Sequence, residues 1–265
     1  MALIKHWTEH DLLAYNITIV DKDVTTFFGN SNLPELTVLD PIILNNRDKP
    51  PGILANSTRL FFAYLNFTKR EFPPIESAAP VFFGYLLSLL GYDQPDRYIH
   101  KWRKIGFIMS GIPVNVKTDI CVLDEEAAYL LLVKGGKVCH IQRNKKRQSL
   151  IISKSHAEPR LIAAAIAAFY ENNNRRRLAG LAAIQAKEFA GITFRGTAPM
   201  FYKIPITTNL LESIATAQFP PQQTIVQRLI PPVPNMSRLL EDGMIPLDNR
   251  RVILQCFEAF KQFLQ

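Results

Sequence analysis

The chain has 265 residues, 48% of them hydrophobic, and carries 31 basic against 23 acidic side chains, for a formal net charge of +8. This length and apolar content support one large domain or two small ones with a substantial hydrophobic core. The sequence contains no run of about eighteen uncharged apolar residues, which argues against a membrane-spanning helix. We expect no membrane partner, and the positive charge favours an anionic one without identifying it.

The N-terminus and the cysteines bear on the cellular compartment. Charged residues in MALIKHWTEHDLL occupy the place where a signal peptide would need its apolar segment. The three cysteines, Cys121, Cys139 and Cys256, form neither a CxxC motif nor an even framework, which suits reduced thiols. We therefore expect a cytoplasmic or nuclear protein in which Cys121 is part of the core.

The N-terminal part of the chain predicts one strand and one long helix. Residues 17–20 form a β-branched run that is typical of a strand, and the later stretch DKPPGIL marks a turn or loop. The stretch ESAAPVFFGYLLSLLGY predicts a helix that is buried on most sides. Glu76 lies in its first turn, and Gly91 lies where a C-terminal glycine stop belongs.

The pattern changes to that of strands at Lys104. Three short apolar runs bounded by turn residues follow, and each predicts one strand: KIGFIMSG, VKTDICVLD and YLLLVKGG. The third run has no polar alternation over residues 129–133, as expected of a central strand covered on both faces.

The remaining chain predicts a long helix, a strand pair and a closing helix. EPRLIAAAIAAFYENNNRRRLAG has Pro159 in the first turn and arginines at its C-terminal end, both favourable positions in a helix. EFAGITFRGTAPMFYKIPIT predicts a hairpin-like strand pair, and a proline-rich connection follows. The amphipathic final helix is predicted from four residues at helical spacing, Val252, Cys256, Phe260 and Phe263. Helices on either face of a mixed sheet are the economical packing, so the fold class is α/β.

One pair of predicted strands carries the residues of a nuclease-type site. Asp119 stands at the start of the first strand, and Lys137 follows the second. Magnesium-dependent phosphodiester cleavage needs carboxylate oxygens clustered beside the scissile phosphate. A lysine near these ligands can stabilise developing charge or orient the attacking water.

This arrangement resembles the PD-(D/E)XK nuclease superfamily, in which one strand supplies an acid and the next an acid-x-Lys group. Stretches along nearly the whole chain also look like a large group of mostly uncharacterised fungal proteins, abundant in basidiomycetes, with a PD-(D/E)XK-like core. The matching stretches are DVTTFFG, LPELTVLDPIIL, ESAAPVFFGYLLSLLGY, KTDICVLD, YLLLVKGGK, LIAAAIAAFYENNNRRRLAG, ITFRGTAPMFYKIPIT and RRVILQCFEAF. The resemblance implies a restriction-endonuclease-like core over residues 75–215, with residues 1–74 and the C-terminal residues 216–265 packed onto it.

The same resemblance implies roles for three residues. Glu76 matches an acid of the first helix that ligates the metal directly or through water, and Asp119 matches the central metal-binding aspartate. Lys137 matches the catalytic lysine and would act together with Asp119. Each residue also has an ordinary structural interpretation: a helix first-turn acid, a strand end and a turn cation, respectively.

Two carboxylates of the expected cluster are missing. The fungal group typically reads Gln-Glu-Asp-Lys on the second strand, whereas this chain reads Lys134, Gly135, Gly136 and Lys137. Lys134 therefore adds positive charge beside Gly135, which we expect to leave a void where a ligand oxygen belongs. Ala164 stands where the following helix usually carries another acid. We expect magnesium binding to be weak or absent.

Other acids are poor substitutes for the missing ligands. Asp124, Glu125 and Glu126 lie at the turn between the strands, and five residues of strand place them about 17 Å from Asp119. Glu158 and Glu171 flank the next helix, where sequence alone does not aim their side chains. The histidines and cysteines show no zinc spacing, and neither a phosphate loop nor a GxSxG elbow is present.

Basic clusters suggest where nucleic acid could bind. They consist of Arg143, Lys145, Lys146 and Arg147 in RNKKR, and of Arg175, Arg176 and Arg177. A solvated surface, a phosphate-contacting surface and a nuclear-localisation patch all fit such clusters. Three functions therefore stay open: a nuclease-like nucleic-acid-binding protein with a degenerate metal site, an active divergent magnesium nuclease, and a protein-interaction scaffold.

Overall fold

The computed structural model describes residues 2–3, 7–69, 78–136 and 157–264. The strands are β1 (Ala2–Leu3), β2 (Ile17–Asp21), β3 (Arg97–Lys101), β4 (Lys104–Met109), β5 (Ile112–Lys117), β6 (Ile120–Asp124), β7 (Tyr129–Gly135), β8 (Ala186–Arg195), β9 (Ala198–Thr207) and β10 (Thr224–Leu229). The α-helices are α1 (Glu9–Ala14), α2 (Val24–Phe28), α3 (Pro41–Asn45), α4 (Asn56–Thr68), α5 (Ala78–Leu89), α6 (Ala157–Leu178), α7 (Thr208–Thr216), α8 (Leu239–Asp242) and α9 (Leu247–Phe260). Among these residues, no helix has the length and apolarity that crossing a membrane requires.

The strands form two sheets, one large and mixed and one small. The large sheet has seven strands in the order β2-β10-β9-β8-β7-β6-β3, and the small sheet has the order β1-β5-β4. In the large sheet β3, β6 and β7 are successively antiparallel, whereas β7 and β8 are parallel and joined through α6. The prediction of an α/β fold with a mixed sheet flanked by helices is confirmed. The predicted adjacency of the strand that follows Asp119 and the strand that ends before Lys137 is confirmed too, because β6 pairs with β7.

Each face of the large sheet is covered by its own hydrophobic cluster. Alternate residues of β6 enter the two clusters: Ile120 and Val122 face one, and Cys121 and Leu123 face the other. The first cluster includes residues of α4, α5 and α9, and the second is formed largely by α6. The helix α6 packs against β7 and β8 of the large sheet and against β4 and β5 of the small one. This placement between two sheets explains why every residue from Leu161 to Phe169 is buried.

One predicted strand was wrong in its extent. The stretch VKTDICVLD is not a single strand, because the chain leaves the small sheet after β5 and enters the large sheet at β6. At the break, Thr118 Oγ1 donates a hydrogen bond to the Ile120 carbonyl at 2.6 Å, which turns the chain between the sheets. The strand β3 was not predicted, because RYIHK is too polar to stand out as an apolar run.

The ends of the chain contribute to the same sheet and core. The predicted strand at residues 17–20 is confirmed as β2, which lies at the sheet edge and pairs in parallel with β10. The closing helix is confirmed as α9, and its Cys256 and Phe260 are buried in the cluster that also contains Phe82 of α5. Gly91 has a φ of +73° just after α5, as the predicted glycine stop requires.

Candidate functional site

Asp119 lies in the short connection between β5 and β6, and each oxygen of its carboxylate accepts a hydrogen bond from a donor of the chain. The residue is only 8% exposed. Its Oδ1 accepts a hydrogen bond from Lys134 Nζ at 3.0 Å, and its Oδ2 accepts one from the backbone N–H of Gly135 at 2.8 Å. The Asp119 backbone is also fixed, because its N–H bonds the Val133 carbonyl and its carbonyl accepts from the N–H of Trp102.

Lys134 forms a buried ion pair with Asp119. It is 9% exposed and reaches Asp119 from the neighbouring strand β7. A buried carboxylate needs a compensating charge and hydrogen bonds, and here an ammonium supplies both. The sequence predicted only an additional positive charge beside a gap. The ammonium instead binds the carboxylate oxygen that a metal ion at this aspartate would need.

The expected void at Gly135 is absent, and that prediction was wrong. A Cβ atom at this position would lie 2.8 Å and 2.9 Å from two ring carbons of Phe194, which therefore fills the space. Phe194 is the register partner of Gly135 on β8, and its ring stacks on Phe83 with centroids 4.3 Å apart. The same Cβ would lie 3.3 Å from Asp119 Oδ2. A side chain at position 135 would thus begin beside the Asp119 carboxylate.

Three of the acids weighed as substitute ligands, Glu158, Glu171 and Asp124, bond other groups of the chain. Glu158 in the first turn of α6 accepts hydrogen bonds from the Tyr202 hydroxyl and from Arg228 Nη1, both at 2.6 Å. Glu171 pairs with Arg175 at 2.9 Å, near the other end of the helix. Asp124 accepts the N–H of Ala128 in the turn after β6. Within the described part of the chain, no group of three or more histidine, cysteine, aspartate or glutamate residues could hold a metal ion.

Ala164, where the resemblance predicts an acid, lies within α6 and is almost completely buried in the second hydrophobic cluster. An acid there would be surrounded by apolar side chains unless it reached the Asp119 region. The position therefore adds no polar group to the site in this chain.

A row of polar side chains crosses the sheet beside the Asp119–Lys134 pair, and the sequence did not reveal it. Thr193 is the register partner of Lys134 on β8, and its hydroxyl lies 3.1 Å from that of Tyr202. The Tyr202 hydroxyl donates a hydrogen bond to Glu158, and Arg228 donates to both Glu158 and Asp21. Tyr202, Glu158, Arg228 and Asp21 come from β9, α6, β10 and β2, respectively. Burial is the main cause that raises the pKa of the Tyr202 hydroxyl, which stays protonated as the donor to Glu158. The only signal in the sequence was a threonine between Ile192 and Phe194.

The structure describes only one of the two basic clusters, the arginines of α6. Arg143, Lys145, Lys146 and Arg147 lie outside the described residues, as do Glu76 and Lys137. The three arginines of α6 each bond a neighbouring group: Arg175 the Glu171 carboxylate, Arg176 the Ala182 carbonyl, and Arg177 the Asn174 side chain.

The arginines of α6 lie far from Asp119. Asn172, one turn before them, hydrogen-bonds both backbone groups of Tyr129 at the start of β7. Lys134 lies five residues further along β7, about 17 Å away. The triplet 175–177 and the Asp119–Lys134 pair therefore belong to opposite ends of the sheet.

Comparison with known proteins adds no assignment to this geometry. No family model matches the chain, and no curated protein matches it.

Proposed function

We propose that this chain is a nuclease-like nucleic-acid-binding protein in which an internal ion pair has replaced the metal site. The observation that carries the proposal is the Lys134–Asp119 contact at 3.0 Å in a buried setting. The ammonium neutralises the one described carboxylate that the nuclease resemblance assigns to the metal. Nucleic-acid binding is the part of the function that a nuclease-like fold with a net charge of +8 can retain.

The order of elements supports a restriction-endonuclease-like core. The helix α5 precedes three antiparallel strands, β3, β6 and β7, and α6 then crosses to the parallel strand β8. The hairpin of β4 and β5 is inserted between the first two of these strands and forms the small sheet with β1. Asp119 then stands at the start of the second core strand, and position 135 at the end of the third. These are the places that an acid and an acid-x-Lys group require.

Magnesium is disfavoured at this site for a physical reason. Mg²⁺ requires near-octahedral oxygen coordination and binds protein mainly through carboxylates. At Asp119 it would have to displace the Lys134 ammonium and then share a small buried space with that positive charge. Position 135 supplies no second carboxylate, and Phe194 fills the space beside it. We therefore infer that metal-dependent cleavage is lost. Lys137 corresponds to the lysine that would act as the catalytic cation in an active nuclease with this arrangement.

A cleavage assay tests the loss of catalysis. Single- and double-stranded DNA and RNA are incubated with Mg²⁺ or Mn²⁺ and either the native protein or Asp119→Asn, which keeps the side-chain shape. We expect the two proteins to give the same background rate, because the native carboxylate is already neutralised. Metal-dependent cleavage by the native protein that Asp119→Asn abolishes would establish an active nuclease instead.

The same assay has a positive control built from the structure. Gly135→Glu alone is expected to destabilise the fold, because its Cβ would collide with Phe194. Combining it with Phe194→Ala and Lys134→Gln opens the space, removes the ammonium and restores an acid beside Asp119. Only this triple variant should show a Mn²⁺-dependent rise in melting temperature. The same rise in the native protein would contradict the replacement of the metal by Lys134.

Salt dependence tests nucleic-acid binding separately from catalysis. The logarithm of affinity should fall linearly with the logarithm of salt concentration, because bound lysines and arginines release counterions from phosphates. Replacing Arg143, Lys145, Lys146 and Arg147 together by glutamine should reduce that slope by up to about 3 on single strands, at about 0.7 for each phosphate contact. Binding that is absent at low salt would favour a scaffold role.

The arginines of α6 provide the matched control for this measurement. Arg175, Arg176 and Arg177 carry comparable charge in sequence, but their guanidinium groups hydrogen-bond within the chain. Replacing these three by glutamine should therefore change the slope less than replacing the four residues of RNKKR. An equal or larger change would assign the phosphate contacts to the end of α6.

A further inference from the structure

Trp102 stands in a backbone conformation that is unfavourable for a bulky residue. Its φ is +60°, in the left-handed region that residues other than glycine, asparagine and aspartate rarely adopt. Two backbone hydrogen bonds hold this connection between β3 and β4 against the start of β6: Trp102 N–H to the Asp119 carbonyl and Thr118 N–H to the Arg103 carbonyl. Such strain persists only where the surroundings impose it, and it concentrates at functional positions.

The ring of Trp102 is presented to solvent with a cation on it. The residue is 44% exposed, although tryptophan is usually largely buried. Lys117 Nζ lies 5.2 Å from the ring centroid, in the geometry of a cation–π contact. The strained backbone therefore places a partly exposed aromatic ring beside a lysine.

Two further lysines lie next to Trp102 in the chain. Lys101 and Lys104 flank Trp102 in sequence at the facing ends of β3 and β4, and both are exposed. Lys104 is the direct cross-strand partner of Lys117, a pairing of like charges that destabilises a sheet. In the described part of the chain, the ion pairs include none of these three lysines. Lys104 and Lys117 are thus held side by side without an acid among the described residues to compensate them, whereas the Lys101 ammonium lies 3.2 Å from the place that a Cβ atom at Gly84 of α5 would occupy.

We propose that Trp102 with Lys104 and Lys117 forms a binding surface for single-stranded nucleic acid. One unstacked base packs on the exposed part of the Trp102 ring, and the lysines contact the adjacent phosphates. Aromatic platforms flanked by cations bind single strands in this way, whereas a duplex keeps its base faces covered. The surface adjoins the Asp119 backbone, so the strand would pass beside the Asp119–Lys134 pair. This inference rests on the proposed nucleic-acid-binding function and names its surface and ligand class.

The substitution Trp102→Gly separates binding from folding. Glycine adopts a φ of +60° without steric cost, so the variant should retain the native melting temperature within a few degrees. Its affinity for a fluorescein-labelled oligo(dT) or oligo(U) strand, measured by anisotropy, should nevertheless fall by about 5- to 100-fold, as expected for the loss of one stacked base. Replacing Lys104 and Lys117 by glutamine should lower the salt slope by about 1.4.

Two further readouts and one control sharpen the test. The chain has two tryptophans, and Trp7 is buried, so quenching of intrinsic fluorescence by oligo(dT) should occur in the native protein and vanish in Trp102→Gly. A duplex of equal length should bind more weakly than the single strand. Phe219→Ala removes another exposed aromatic ring and should leave affinity unchanged.

Each remaining outcome is decisive. If the native protein binds single strands and Trp102→Gly binds equally well, the surface is wrong while the proposed function stands. If the native protein binds neither single strands nor duplexes at low salt, both are wrong. If poly-glutamate binds as tightly as oligo(dT) with the same dependence on Trp102, the ligand is an acidic polypeptide and the inference is overturned.

Discussion

Replacing Lys134 by methionine is expected to lower the free energy of unfolding by about 3–5 kcal/mol, because removing one partner of a buried ion pair leaves the other charge uncompensated. Among the described residues, the Asp119 carboxylate would then keep a single donor, the N–H of Gly135. Chemical denaturation of the native protein and of Lys134→Met measures the difference.

A double-mutant cycle provides the control for this prediction. Asp119→Asn keeps an acceptor for the Gly135 N–H and removes the charge that Lys134 compensates. Asp119→Asn combined with Lys134→Met should therefore cost much less than the sum of the two single changes, because no buried charge is left. Additive costs would mean that the two side chains do not interact. They would contradict the interpretation of Lys134 and Asp119 as a buried ion pair.

Replacing Arg250 by methionine should destabilise the protein by a similar amount, about 3–5 kcal/mol, because buried acceptors lose a charged donor. Arg250 is fully buried in α9. Its guanidinium donates to four backbone carbonyls, those of Ile43, Asn46, Arg47 and Met244. Burial lowers the pKa of this guanidinium to about 10, so it is still protonated at neutral pH. Thermal or denaturant unfolding at neutral pH measures the loss.

The neighbouring residue supplies a matched control. Arg251 is exposed, and within the described part of the chain it bonds the Asn45 side chain and lies 4.0 Å from Asp248. Arg251→Met should change the free energy of unfolding by no more than about 0.5 kcal/mol, as is usual for surface positions. Equal effects at the two positions would show that the buried hydrogen bonds of Arg250 contribute little.

The sequence predicts the elements whose patterns are local and leaves open those that depend on distant partners. The unbroken apolar run of β7 and the capped, alanine-rich α6 are visible in short windows, and the structure confirms both. The turn from one sheet to the other at Thr118 is invisible, because apolar and polar residues continue on both sides of it. The change of sheet follows from pairing with β4 on one side and with β3 and β7 on the other.

The site shows the same limit at the level of side chains. The sequence pattern indicates Asp119 as a site residue and shows Lys134 and Gly135 where the resemblance predicts a carboxylate nearby. The pairing of Lys134 with Asp119 depends on the antiparallel register of β6 and β7, in which Ile120 stands opposite Val133. The filling of the space at Gly135 depends on Phe194, which arrives from β8 after the whole of α6. Neither contact follows from a pattern within one stretch of sequence.

The parallel pairing of β2 with β10 has a consequence for synthesis on the ribosome. Asp21 and its partner Arg228 are 207 positions apart, so the N-terminal strand leaves the ribosome long before its neighbour exists. At about 5–20 residues per second, the delay is about 10–40 s. During that time the β-branched run of β2 has an unpaired edge, which is the kind of segment that chaperones bind and that aggregates when unprotected. The large sheet therefore stays incomplete until β10 has left the ribosome.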